Sequence, residues 1–204
     1  MAASDVSICN QALTWLGANT IMSLNDNSNE AIACKATYEE TLNDLLTQRM
    51  WTFATQTIEL SAPIAGPAGQ GYAYLIPNTL KIQLIHKVFT QSSNNPLPVE
   101  WARQGQYIIS QSAGPLYCVC IVSVTPERMP AYFTQALSAC LAADMAMGLT
   151  RSIKIMDKFE MVAKNKTESA AAADGRQGTS ETFISDALIN VRASGGTSIN
   201  GWSE

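Results

Sequence analysis

Few side chains in this chain of 204 residues invite a chemical reading. The candidates are five cysteines at positions 9, 34, 118, 120 and 140, a lone histidine, His86, and an acidic group, Glu39, Glu40 and Asp44. The cysteines are odd in number and lack the C-x-x-C spacing of zinc or redox sites. Three of them fall on apolar helical faces. Cys118 and Cys120, two apart in a strand-like run, share one face of a sheet. They read as buried free thiols in a reducing compartment. A metal site would need His86 or carboxylates that no spacing supports. His86 lies in an apolar, strand-like run and reads as a core or sheet-face residue rather than a base. Glu39, Glu40 and Asp44 fall opposite an apolar helical stripe, where carboxylates are solvated.

The motifs of common catalytic sites are missing. The sequence contains no G-x-S-x-G, H-E-x-x-H or P-loop. "GPAGQG" (66–71) lacks the Lys-Ser/Thr that would cradle phosphate and reads as a flexible loop. The expectation is a protein that is not an enzyme, with no catalytic, cofactor-binding or metal-binding residues and no cofactor.

Composition narrows the partners. The net charge is −4, from 13 basic and 17 acidic residues, whereas tight nucleic-acid binding needs a basic face that displaces counterions. The basic residues Arg151, Lys154, Lys158, Lys164 and Lys166 are interleaved with Asp157 and Glu160 and read as a solvated helix face. Charged residues make up 15% of the chain, against a usual ~25%, which points to large subunit interfaces. The first apolar run is broken by Asn10, Gln11 and Thr14 and lacks the basic leader of a signal peptide. Two uncharged stretches, 60–80 and 104–126, carry prolines and glycines unsuited to a membrane helix. A soluble protein is expected.

The elements that must carry these residues follow from periodicity. Cys9, Ala12, Leu13 and Leu16 predict a helix from Ser4 or Asp5 to Leu16, ended by Gly17 in a left-handed conformation. Asn27 stands three residues before Glu30 in a capping-box-like arrangement. A second helix follows over about 28–49, with a stripe of Ala31, Cys34, Tyr38, Leu42, Leu45 and Leu46. "TQTIEL", "YAYLI", "LKIQLIHKVF", "LPVEWAR", "YIIS" and "LYCVCIVSV" read as antiparallel strands between Gly, Pro, Asn and Ser breaks. A third helix starts near Pro130 and ends around Gly148, with Phe133, Ala136, Leu137, Cys140, Leu141 and Met145 on its core face. A fourth covers about 152–173 with Ile153, Met156, Phe159 and Ala163 inward.

The expected fold is α+β: a bundle of about four helices, with a small antiparallel β-sheet inserted between helices 2 and 3 and an extended C-terminal tail. Residues 1–174 form one domain, with the bundle at 4–50 and 130–173 and the β insertion at 55–125. Residues 175–204 form an interaction tail. Its apolar residues Phe183, Leu188, Ile189, Val191 and Trp202 are too few for a core of their own and are the candidate partner interface. A disordered end pinned by lattice or intramolecular contacts is the alternative.

The stretch "DVSICNQALTWLGANTIMSLNDNSNEAIACKATYEETLNDLLTQRMWTFA" resembles the opening of the head-to-tail adaptor proteins of tailed bacteriophages, the tail tubular protein A family and its relatives. Asp5, Ile8, Cys9, Asn10, Ala12, Leu13, Leu16 and Gly17 carry the first motif. Ile21, Ser23, Leu24 and Asp26 carry the second, and Cys34, Tyr38, Leu45, Leu46, Trp51, Phe53 and Ala54 continue it. "YAYLIP" and "PAYFTQALSACLAADMAMGLT" resemble later family segments, so the likeness spans about 5–165. Val6 and Ser7, Met50 and Thr52 depart from the pattern and read as packing positions. The resemblance implies a structural connector made in the host cytoplasm and found in the virion. There it would form a homo-oligomeric ring, usually a dodecamer, between the portal protein and the downstream nozzle or tail-tube protein. DNA would pass through the lumen without specific binding, and no membrane is involved. The alternative is a nucleic-acid-binding or enzymatic module that shares the bundle.

Overall fold

The computed structural model describes residues 3–60, 63–69, 71–90 and 97–177. Its elements run α1 (Asp5–Leu16), α2 (Asn29–Thr47), β1 (Thr55–Leu60), β2 (Ile64–Ala65), β3 (Tyr72–Leu75), β4 (Ile82–Thr90), β5 (Leu97–Pro98), β6 (Trp101–Gln104), β7 (Tyr107–Ser110), β8 (Leu116–Val122), α3 (Ala131–Thr150) and α4 (Ile153–Asp174).

Local chemistry sets the helix ends. Ser4 and Ser7 exchange side-chain and backbone hydrogen bonds in a capping box at the start of α1, and Gly17 closes it at φ 71°. This conformation is costly for any residue with a Cβ. The serine at position 7, one of the departures from the adaptor pattern, is therefore half of the cap. At α2 the cap is Ser28, which accepts from the Ala31 amide. The capping role expected of Asn27 falls one residue later.

The expectation of one small sheet inserted between helices 2 and 3 is corrected. Helices stand at the two ends of the described chain, and eight strands in the middle form two four-stranded antiparallel sheets. One has the order β1-β8-β4-β5, the other β2-β3-β7-β6. Tyr74 and Ile108 of the second sheet share a core with Leu60, Val88, Leu116, Cys118 and Cys120 of the first. Two sheets sharing one core bury far more apolar area than a single sheet with an open face. Strand pairing is long-range: β1 pairs with β8, Thr55 opposite Ile121 and Leu60 opposite Leu116.

A second core lies among the helices. Ile8, Cys9, Leu13, Cys34, Leu45, Leu46, Trp51, Phe133, Leu137 and Leu141 are buried in it, and Ile121 of β8 reaches into it from the sheet. Val124 touches both cores. The Trp51 indole is fully buried, donates Nε1–H to the Leu45 carbonyl at 2.8 Å and meets the Phe133 ring edge-on at 5.0 Å. This aromatic contact fixes the end of α2 against the start of α3. Ile153, expected to face inward, is 61% exposed. It is the first residue of α4, beyond the reach of the α3 surface that covers Phe159 and Ala163.

Candidate interaction surfaces

The residues with chemical potential do not converge. Cys9 and Cys34 lie together in the helical core, where the Cys34 thiol also meets the Met145 sulfur at 3.7 Å. The hydrogen bond that Cys9 donates to Cys34, and then burial, hold Cys9 protonated well above the ordinary thiol range. Cys118 is raised in the same way by its bond to Cys120 and by burial. Burial also pushes the half-buried Cys140 up. Cys9, Cys118 and Cys140, held protonated, are poor nucleophiles and poor ligands, whereas Cys34 and Cys120 are lowered by the bonds they accept from Cys9 and Cys118. His86 is exposed on β4, where the register to β8 shifts between Ile85 and Lys87. Glu39, Glu40 and Asp44 are exposed on α2. Among the described residues no group of three His, Cys, Asp or Glu is placed to hold a metal, and no helix is long and apolar enough to cross a membrane.

The residues carrying the sequence resemblance are brought together as structural ties. The Asn10 side chain donates to the Ile21 carbonyl at 2.9 Å and accepts from the Ile21 amide at 2.8 Å. Asp26 accepts from the Met22 and Ser23 amides at 2.8 and 2.9 Å. The Asn10 bonds hold the link between α1 and α2 against α1, and the Asp26 bonds turn the link on itself. Tyr38 donates from its hydroxyl to Asp5 at 3.1 Å. Burial first, and the Asp5 charge second, hold that phenol far above its usual range. Ser138 on α3 donates to the Ile8 carbonyl at 3.2 Å and to the Gln11 side chain at 3.0 Å.

Sequence reasoning missed two features. The first is Asp174, 1% exposed at the end of α4. Its carboxylate accepts from the Thr52 amide at 2.9 Å, the Thr52 hydroxyl at 2.8 Å and the Tyr132 hydroxyl at 2.7 Å. Thr52, read as a packing position, is an exposed residue that anchors α4 to the α2–β1 link. Burial, and then the bond to Asp174, push the Tyr132 phenol up to about 12.

No family model matches this chain, and no curated protein does. Its surfaces must therefore be read from their own chemistry.

The second missed feature is the outer face of the sheet β2-β3-β7-β6. Directly paired residues project to the same side of a sheet. Ile64, Ala73, Ile109 and Ala102 therefore form one row across all four strands, with Leu75 opposite Tyr107 in the next. Tyr74 and Ile108 point the other way, into the core between the sheets. None of the six outer residues belongs to a core cluster among the described residues. Ala73 and Ile109 are shielded at the centre, while Ile64, Leu75 and Tyr107 around them are 55%, 45% and 38% exposed. An antiparallel sheet facing water normally alternates apolar and polar residues. "YAYL" and "YIIS" are apolar at nearly every position, and that was the readable signal.

A crevice of about 480 Å³ separates the helices from the first sheet, with Asp5, Glu39, Lys81 and Arg128 on its walls. Both signs of charge face it, so it favours no one class of charged ligand. The expected interface residues Phe183, Leu188, Ile189, Val191 and Trp202 lie outside the described residues.

Proposed function

We propose that this chain is a structural subunit of the head-to-tail connector of a tailed bacteriophage. In this reading it joins a ring, dodecameric as in the family it resembles, between the portal and the nozzle or tail-tube protein. The observation that carries the reading is the continuity of the resemblance over 5–54, residues that act together as ties of one helical frame. Asn10, Asp26, Tyr38 and Trp51 each hold that frame through a hydrogen bond of their own. Such a frame suits a rigid subunit with no catalytic step, cofactor or metal.

Charge and composition support the same role. A net charge of −4 favours a conduit that weakly repels DNA phosphate over one that binds it. Ring contacts are heterologous and closed by the rotation between neighbours. A single contact of this kind leaves the free protein monomeric, because association entropy outweighs it until a portal template aligns the copies. The tail residues Phe183, Leu188, Ile189, Val191 and Trp202 serve as the arm that grips a neighbour or the portal.

Native mass spectrometry and negative-stain imaging of the chain alone, and mixed with portal from the same virion, test this. The expected result is monomer alone and a ring on the portal. A stable closed dimer in both samples would refute it, because twofold pairing consumes the surface that a ring requires.

A further inference from the structure

The open edge of a β-sheet recruits further strands unless shortness, proline, bulges or charge blunts it. Most edges of this protein are blunted. β2 and β5 are two residues long, and β5 ends in Pro98. The part of β4 beyond β5 carries two register shifts and Lys87. Two longer edges lack such devices. Among the described residues, β1 pairs only with β8 and β6 only with β7. β1 keeps unbroken register from Thr55 to Leu60, and β6 from Trp101 to Gln104. Neither strand holds a proline or a lysine. In an antiparallel pair every second N–H and C=O points away from the partner strand, so both edges offer ladder groups outward.

Each of these edges carries one charge, and the signs are opposite. Glu59 is exposed on β1 and Arg103 is exposed on β6. The Arg103 Nε–H donates to the Gly105 carbonyl at 3.3 Å, and neither side chain meets a counter-ion among the described residues. Pairing β1 with β1, or β6 with β6, would set like charges on one short ladder, which is destabilising. Pairing β1 with β6 sets opposite charges there. Within one chain the two strands belong to different sheets, so each edge is left for a neighbour.

We infer that the β1 edge of one copy pairs antiparallel with the β6 edge of a second copy, with Glu59 opposite Arg103. The sheet β1-β8-β4-β5 of one copy and the sheet β2-β3-β7-β6 of its neighbour then run on as one. The contact joins two different surfaces, so it repeats from copy to copy instead of closing a twofold pair. A ladder as short as β6 supplies only about four hydrogen bonds. That is too few to offset the association entropy of free copies, so the pairing is transient until the copies are aligned. The inference rests on the ring reading for closure alone. The strand contact itself needs no phage partner, so the purified chain tests it.

Carbodiimide cross-linking of the full-length chain is the experiment, because this reagent joins a carboxylate to an amine only where the two touch. Arg103→Lys keeps the charge and supplies the amine, and circular dichroism checks that the variant keeps its fold. Unlabelled and heavy-nitrogen-labelled Arg103→Lys proteins are mixed at high concentration. Linked peptides that carry both isotopes then report contacts between copies. The expected result is a mixed-isotope link between Glu59 and position 103, at least tenfold more abundant than links from Glu59 to Lys158, which is exposed on α4. Amide hydrogen exchange of the parent chain should also slow over 55–60 and 101–104 as concentration rises, which a charge contact without strand pairing would not cause. A link no more frequent than that to Lys158, a link confined to single-isotope peptides, or exchange independent of concentration would each overturn the inference. Formation of the link by a chain that makes no ring on the portal would refute the connector reading alone.

Discussion

Replacing Asp174 with alanine separates a buried tie from an ordinary helix-end charge, because the two predict opposite signs. A solvated carboxylate at a helix C-terminus is repelled by the helix dipole, and its removal stabilises by about 0.3–1 kcal/mol. Asp174 is instead 1% exposed and accepts three hydrogen bonds. Hydrogen bonds to a charged group contribute about 1.5–3 kcal/mol each, a gross loss of roughly 5–9 kcal/mol. Several kcal/mol return because the carboxylate no longer has to be desolvated. Thr52 is exposed, so its two donors recover water. The net expectation for Asp174→Ala is a destabilisation of about 3 kcal/mol. For a chain of this length that lowers the thermal midpoint by roughly 6–12 °C. Thermal unfolding followed by far-ultraviolet circular dichroism measures it. A double-mutant cycle with Tyr132→Phe should show coupling of about 1 kcal/mol, as expected for groups in direct contact. An unchanged or raised midpoint would refute the argument and return Asp174 to the status of a solvated charge.

Asn10→Ala removes both bonds to Ile21 and leaves that backbone pair unmatched, an expected cost of about 2 kcal/mol read from the denaturant midpoint at constant m-value. A variant as stable as the parent would show that the α1–α2 link needs no tie. Stability should also fall at alkaline pH. Tyr132 is raised from 10.0 to about 12, and Tyr38 and Tyr74 are raised mainly by burial. A group whose folded pKa is raised contributes stability that is whole below the unfolded value of 10.0 and is lost as pH climbs through the folded value. Chemical denaturation between pH 9 and 12 should show this decline, and Tyr132→Phe should flatten it. A flat profile in the parent would contradict the burial of these phenols.

The helices were legible because each carries its own start, stop and stripe. Gly17 and the Cys9–Leu13 face needed nothing beyond twelve residues of sequence. Small errors came at the ends, where Ser28 rather than Asn27 caps α2 and where Ile153 lies beyond the covering surface of α3. The sheets were less legible because pairing is a long-range choice. No local pattern joins Thr55 to Ile121 or separates Tyr74 from Cys118 into different sheets with one core. The strands Ile64–Ala65 and Leu97–Pro98 are two residues long, too short for alternation to be seen. Asp174 was illegible for a related reason: its donors at Thr52 and Tyr132 are 122 and 42 residues away.

The placement of the exposed apolar residues bears on how copies of this chain would associate. A twofold pair needs one self-complementary patch, whereas a ring needs two different surfaces that fit each other. Ile64, Leu75 and Tyr107 gather on one sheet face, while Ile153 and Met161 are exposed on α4 at the other end of the chain. The residues between these surfaces are tied by the two cores and their shared Val124. In the proposed ring, a subunit built this way would pass load from one neighbour to the next without relying on any single contact. Repeated weak contacts then act together once the copies are aligned. In the proposed connector such copies would close only on a template, which the portal-mixing experiment tests.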